Sequence, residues 1–280
     1  MTKNDIKRIV LLSLREDLPL GDITTNSIVP SENRSRARIF VKENAVLCGL
    51  PLAQEIFKQL SPKMRLRCLV HEGSILRKNT TILTLEGRTR AILTGERTAL
   101  NFLSYLSAIA TQTRRFVDQV HPYKVKILDT RKTTPTLRFL ERYAVRIGGG
   151  VNHRENLSQA VMIKDNHWMS SRELSMDDEI GRIKRLHKVP VIVEVDNLKQ
   201  LRAILNTKTD IILLDNMSPA LVRKAVAMRK KLKSSVLFEV SGGINIGNVR
   251  EYAKTGVERI SVGELTHSRR SVDFSLEIMR

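Results

Sequence analysis

Cysteine, aromatic residues, acidic residues and long apolar runs are all scarce in this 280-residue chain, and each scarcity excludes something. The two cysteines, Cys48 and Cys68, make no disulfide framework and have no metal-ligand spacing. Aromatics are only 4% of the chain, which argues against a nucleic-acid module built on stacking platforms. No apolar run approaches the ~20 residues of a membrane span. The N-terminus, MTKNDIKRIVLLSLRED, is charged and amphipathic, with neither the apolar core nor the cleavage site of a secretory signal. These absences describe a globular chain expected in the cytoplasm.

What is present is base. Lys and Arg number 48 against 29 Asp and Glu, a formal charge of +19. Such an excess suits nucleic acid, an anionic surface or an anionic small molecule. Much of it is scattered: Arg34, Arg36 and Arg38 alternate along one expected strand face, and Arg229, Lys230, Lys231 and Lys233 close an expected helix. Both runs read as solvated faces. No run forms a basic tail.

Hydrophobic residues, 41% of the chain, suffice for one large domain or two modest ones. Residues 2–16 have helical periodicity, and Leu18-Pro19-Leu20-Gly21-Asp22 ends it. Short β-type runs follow at Arg38–Val41, Leu66–Val70 and Thr81–Leu85, with turns at Gly49, Gly73 and Gly87. The segment 72–87 reads as a hairpin. Helices are expected over Pro51–Leu60 and from Glu96 to Val120. This first third is an α+β unit.

After Val125 the texture changes. Apolar runs at Val125–Leu128, Ala160–Ile163, Val189–Val193, Ile211–Leu214, Val236–Phe238 and Arg259–Val262 alternate with helical segments, the pattern of βαβ units around a parallel sheet. Ser218-Pro219 is a helix start, and Gly256 ends a helix expected to begin near Asn245. Each run leads into charge or glycine: Asp129-Thr130-Arg131-Lys132, Lys164-Asp165-Asn166, Glu194, Asp215, Ser241-Gly242-Gly243 and Gly263. A buried strand has no structural need to end this way repeatedly, and α/β barrels carry their active sites at those ends.

The composition of that mouth suggests an anionic substrate. Glycine turns after the last strands, with backbone N–H groups at a helix start, suit phosphate. Arg131, Lys132, Arg138, Arg142, Arg146, His153, Arg154 and Lys164 form a cationic block, and Gly148-Gly149-Gly150 supplies a bend that could turn His153 and Arg154 inward. Glu194 and Asp215 suit a divalent cation or ribose hydroxyls, or serve as partners for the arginines. His121, His167, His187 and Cys48 have no nucleophile–base spacing, no Walker or zinc motif occurs, and Trp168 reads as structural.

Taken together, ERTALN (96–101), DTRKTTP (129–135), YAVRIGGGVNHR (143–154), IKDNH (163–167), VEVDNL (193–198), LLDN (213–216), SGGI (241–244) and SVGELTHS (261–268) closely resemble the quinolinate phosphoribosyltransferases over nearly the whole chain. The resemblance implies an incomplete, TIM-like α/β barrel over 111–267. It also implies an N-terminal α+β sandwich domain over 1–110, joined by the C-terminal segment 268–280. The family transfers phosphoribosyl from phosphoribosyl pyrophosphate (PRPP) to quinolinate with Mg²⁺. The products are nicotinate mononucleotide, pyrophosphate and CO₂, and the reaction belongs to NAD biosynthesis.

By the same resemblance Arg131, His153, Arg154 and Lys164 would hold quinolinate, and Arg97 would reach in from a neighbouring subunit of a homodimer or higher oligomer. Lys132, Glu194 and Asp215 would face PRPP and its metal, and with Lys164 would act in catalysis. Ser241, Gly242, Gly243, Gly263 and His267 would cradle phosphate. Some residues depart from the family pattern. Thr136 stands where Gly is usual, Arg142 where Lys is common, and Asn156 and Gln159 where Gly and Asp are frequent. A related phosphoribosyltransferase with another acceptor, associated with molybdenum transport, remains the nearest alternative, and a basic nucleic-acid binder a more distant one.

Overall fold

A capping box opens the chain in the computed structural model, which describes residues 1–170, 175–268 and 270–279. The Thr2 hydroxyl accepts from Asp5 N while the Asp5 carboxylate accepts from Thr2 N, and this starts α1 (Lys3–Asp17). The Asp22 side chain caps α2 (Ile23–Ile28) by accepting from Thr25 N at 2.9 Å. Then come β1 (Arg34–Val41), β2 (Ala45–Val46), α3 (Leu50–Leu60), β3 (Arg65–Cys68), β4 (Ile75–Leu76), β5 (Thr81–Arg88), the long α4 (Thr89–Val120), β6 (Lys126–Leu128) and α5 (Arg138–Ile147). Residues 1–114, 139–148 and 269–280 make one compact unit, and 115–138 with 149–268 make a second.

In the first unit an antiparallel sheet runs from the C-terminal strand (Phe274–Met279) through β1 and β5 to β3. The alternation read in β1 is real: Ala37, Ile39 and Val41 are buried, while Arg34 and Arg36 face water. Arg38 reaches Glu277 at 2.7 Å and Arg36 reaches Glu86 at 3.5 Å. The segment 72–87 is not a hairpin. β4 pairs with β2, and β5 pairs with β1 and β3, because strand periodicity says nothing about which partner a strand takes.

Helix α4 begins seven residues before the Glu96 expected from the sequence, and runs straight through Gly95. A Cβ at Gly95 would lie 2.9 Å from both Phe57 and Leu60, so this glycine is a point of close approach to α3. Gly49 has φ +105 and no side chain to cap α3. Glu72 does that work instead, accepting from Gly49 N at 2.7 Å and Leu50 N at 3.0 Å. Tyr143 on α5 donates to the same carboxylate at 3.0 Å. Burial pushes the Glu72 carboxyl above its ordinary range, with these donors pulling the other way.

The second unit continues with β7 (Val161–Ile163), α6 (Asp165–Met169), α7 (Met176–Leu186), β8 (Val191–Val195), α8 (Leu198–Ile204), β9 (Ile211–Asp215), α9 (Pro219–Lys231), β10 (Leu237–Ser241), α10 (Val249–Ala253), β11 (Arg259–Ser261) and α11 (Glu264–His267). Its six strands are all parallel, in the order β7-β8-β9-β10-β11-β6. The first strand therefore returns beside the last, and the sheet curls into a barrel left open between β6 and β7, as the resemblance implies. Val151 extends the β6 edge by a parallel bridge to Leu128, and Arg154 Nη1 donates to Ala160 O at 2.9 Å just ahead of β7. Thus 151–160 occupies the open seam.

Two expectations need correction here. The helix placed near Asn245 starts at Val249, because the Asn245 side chain accepts from Gly247 N and Asn248 N and spends those residues on a turn. Arg229 is not part of a solvated face. It is buried at the end of α9, donates to both oxygens of Glu258 at 2.8 Å and to Val236 O at 3.0 Å, and lies 4.6 Å over the Phe238 ring. Among the described residues no helix is long and apolar enough to cross a membrane.

Candidate active site

At the C-terminal ends of the strands the second unit gathers opposite charges. Lys164 follows β7, and its Nζ donates to Glu194 Oε2 on β8 at 2.6 Å. Asp215 ends β9. Burial raises its carboxyl above the ordinary range and the Glu194 charge adds to this, while Lys164 and Lys132 pull it back. The two carboxylates and two lysines thus form one electrostatic group.

Asn216, next in the chain, is in a left-handed conformation at φ +53. Its Nδ2 donates to Asp215 Oδ2 at 2.7 Å, and its backbone N–H donates to Ser241 O at 2.9 Å. The glycine turn then packs against it. Gly242 has φ +90, and a Cβ there would fall 2.1 Å from Asn216 Oδ1, whereas Gly243, at φ +62, faces open space. A side chain at 242 would therefore displace the residue that orients Asp215.

The second glycine has a similar role. A Cβ on Gly263 would lie 3.0 Å from His267 Nε2 and 3.4 Å from Lys132 Cδ, so the bare backbone lets these two side chains converge. Thr266 Oγ1 ties the turn to the first strand loop by donating to Lys132 O at 2.6 Å. Ser241, Gly242, Gly243, Gly263 and His267 therefore line adjacent strand ends β10 and β11, beside Lys132.

Beside this group a cleft of about 690 Å³ is lined by Arg131, Arg154, Met162, Lys164, His167 and Arg182, among others. Burial and the charge of Arg131 both lower the proton affinity of Arg154. Its Nε is buried and has no hydrogen-bond partner among the described residues. Such an orphaned donor costs ~1–3 kcal/mol and is discharged by an incoming acceptor. His153 is buried as well: Nδ1 accepts from Arg154 N at 2.7 Å, and Nε2 lies within ion-pair distance of Glu239 Oε1, at 3.0 Å. Asp129, fully buried at the end of β6, accepts from His153 N and Asn152 Nδ2, both at 2.6 Å.

Of the cationic block read from the sequence, Arg142 and Arg146 lie on α5 in the first unit, and the exposed Arg97 lies on α4 in the same unit. Arg138 spans two loops, donating to Thr133 Oγ1 and Glu155 O at 3.0 Å each. Thr136, the departure from glycine, has φ +68 and so keeps the left-handed turn that glycine would take freely. The Trp168 side chain lies outside the described residues. Sequence reading passed over Glu239, although a lone acid in the apolar β10, two residues before Ser241 and therefore on the same strand face, was a visible signal. Among the described residues no three His, Cys, Asp or Glu side chains cluster as a metal cage. Glu194 and Asp215 do suit Mg²⁺, which takes one or two carboxylates and completes its shell with substrate phosphates and water, and two coupled anions gain from a divalent cation.

Comparison with known proteins agrees over the whole length. Residues 22–107 match the model of the quinolinate phosphoribosyl transferase N-terminal domain, and residues 109–277 match that of the C-terminal domain. A probable nicotinate-nucleotide pyrophosphorylase [carboxylating] of Methanocaldococcus jannaschii is 41% identical over 288 residues, covering 100% of this chain and 99% of that one. The nicotinate-nucleotide pyrophosphorylase [carboxylating] of Mycobacterium leprae is 40% identical over 270 residues, 95% of this chain and 94% of its own. The solved nicotinate-nucleotide pyrophosphorylase of Francisella tularensis superposes with a TM-score of 0.93 at 38% identity, covering 100% of this chain and 98% of that one.

Proposed function

The chain belongs to the quinolinate phosphoribosyltransferase family, and we propose that its reaction takes place at the mouth of the second unit. It transfers phosphoribosyl from PRPP to quinolinate with decarboxylation and releases nicotinate mononucleotide, pyrophosphate and CO₂, a step of NAD biosynthesis. The observation that carries the assignment of the site is the Lys164–Glu194 contact at 2.6 Å. Lys164 lines the cationic cleft and touches the carboxylate group, so a dicarboxylate held in one meets a ribose held over the other.

In this reading Arg131, Arg154 and Lys164 bind the two carboxylates of quinolinate, with the free Arg154 Nε–H taking one of them. His153 serves through the backbone it holds. Lys132, the Ser241-Gly242-Gly243 turn, Gly263 and His267 receive the phosphates of PRPP. Glu194 and Asp215 face the ribose, where positive charge develops at the anomeric carbon as pyrophosphate departs. They would also hold Mg²⁺ together with the diphosphate, and the cation would supply neutralising charge there.

The pyridine nitrogen forms the bond to that carbon and becomes cationic. The ring cation then stabilises the carbanion left at C2 when the 2-carboxylate departs as CO₂, and a proton from solvent takes the place of that carboxylate. Holding two reactants in line is worth up to ~7–11 kcal/mol in favourable cases, so no covalent enzyme intermediate is required. We assign Arg97 to the site of a second copy in a homo-oligomer, and place the reaction in the cytoplasm. Carboxyl-labelled quinolinate tests the reading: labelled CO₂ should appear in step with pyrophosphate and only when PRPP is present. Pyrophosphate release without CO₂ would refute it.

A further inference from the structure

Glu239 has no part in the reaction just described, yet it is fully buried, and three groups converge on it. It lies in register with Arg259 across β10 and β11, and its Oε2 accepts from Arg259 Nε at 2.7 Å. Its Oε1 accepts from the Ser261 hydroxyl and faces His153 Nε2 at 3.0 Å. Burial alone would raise this carboxyl, but His153, Arg259 and Ser261 together hold it below the ordinary range.

The other side of the imidazole decides its protonation pattern. The Arg154 backbone N–H donates to His153 Nδ1 at 2.7 Å, so Nδ1 carries no proton and the ring proton sits on Nε2, towards Glu239. With Asp129 accepting from the His153 amide, the segment 152–154 is strapped between two buried carboxylates. The ring thus meets the Arg154 amide at one nitrogen and faces the buried Glu239 carboxylate with the other. What emerges from the strap is Arg154, which lines the cleft, with Nη1 on Ala160 O and Nε buried without a hydrogen-bond partner among the described residues.

We propose that Glu239 is a positioning residue for the pyridine dicarboxylate: it fixes His153 in the Nε2–H tautomer, and His153 in turn fixes the backbone from which Arg154 reaches its ligand. The proposal rests on the quinolinate reading of the cleft. It changes the role of His153 from a direct ligand of the substrate to a strut behind Arg154.

Glu239→Gln in the full-length enzyme tests it. One amide oxygen cannot accept from Arg259, Ser261 and His153 together, so the strut loosens. The KM for quinolinate should rise about tenfold or more, as expected for a weakened charge-assisted contact, while the KM for PRPP stays within about twofold. A purely structural role would move both KM values together with the melting temperature.

A second measurement needs no variant in the reacting protein. In histidine-labelled unaltered enzyme, two-bond ¹H–¹⁵N spectra should give His153 as the neutral Nε2–H tautomer, its signal identified by loss in His153→Asn. Saturating quinolinate should leave that tautomer unchanged. An unchanged quinolinate KM in a folded Glu239→Gln protein would overturn the proposal. So would a His153 ring that gains a proton, or moves it to Nδ1, when quinolinate binds. If the unaltered enzyme neither binds nor turns over quinolinate, the cleft assignment itself fails, which is a distinct result.

Discussion

Gly242→Ala is the sharpest perturbation the geometry offers, because the adjacent Gly243→Ala is its control. At residue 242 a methyl group would sit 2.1 Å from Asn216 Oδ1 and 2.9 Å from Asn216 N, and the backbone is already at φ +90. The left-handed conformation costs a non-glycine residue ~1–2 kcal/mol. The overlap adds ~1–3 kcal/mol, because Asn216 is tied by its backbone to Ser241 and by its side chain to Asp215 and cannot simply swing away. At residue 243 the methyl group meets nothing within 4 Å, so only the conformational term of ~1–2 kcal/mol applies. Urea unfolding should therefore show Gly242→Ala less stable than Gly243→Ala by ~1–3 kcal/mol. Steady-state kinetics should show a rise of about tenfold or more in the KM for PRPP in Gly242→Ala, since Asn216 moves Asp215. Equal losses in the two variants would refute the reasoning that Asn216 couples the glycine turn to the carboxylate.

Three further outcomes follow from particular residues. Thr136→Gly should stabilise the protein by ~0.5–1 kcal/mol in the same unfolding assay, as relief of ~1–2 kcal/mol at φ +68 outweighs the added freedom of the unfolded chain. Glu258→Gln should cost ~1–3 kcal/mol at neutral pH with kcat unchanged, the estimate reduced because Glu258 is about one-third exposed, for it strands Arg229 at the strand ends opposite the mouth. Burial raises the Glu258 carboxyl, but Arg229 and the Phe238 N–H outweigh it and hold it below its ordinary value. Its stabilisation is therefore full above the ordinary carboxylate range and lost as pH falls through the depressed value, so thermal melts of the variant and the unaltered protein should converge in acid. Arg154→Met should raise the KM for quinolinate by about tenfold or more with little change in that for PRPP, as initial rates would show.

The barrel was legible because each of its strands leaves two local marks, an apolar run and a polar or glycine residue after it. All six were placed within two or three residues, from Lys126–Leu128 to Arg259–Ser261. What was not legible depends on partners distant in sequence. Arg229 looks like one more surface charge until Glu258 and Phe238 enclose it. Strand periodicity at 72–87 could not reveal that β4 pairs with β2.

At the site, the charges were readable one by one, but their division was not. Residues 129–132, 153–154, 164, 194 and 215 lie in one unit, while Arg97, Arg142 and Arg146 lie in the other. The roles of Glu239 and Asn216 are set by what they touch, and neither residue stands in a motif that announces it.

The most direct test is to offer two acceptors to the purified protein with PRPP and Mg²⁺, quinolinate in one reaction and nicotinate in the other, and to follow nicotinate mononucleotide. If Arg131, Arg154 and Lys164 hold two carboxylates as proposed, product should form from quinolinate and little or none from nicotinate. Product from nicotinate alone, or none from either in a folded protein that binds PRPP, would contradict the account.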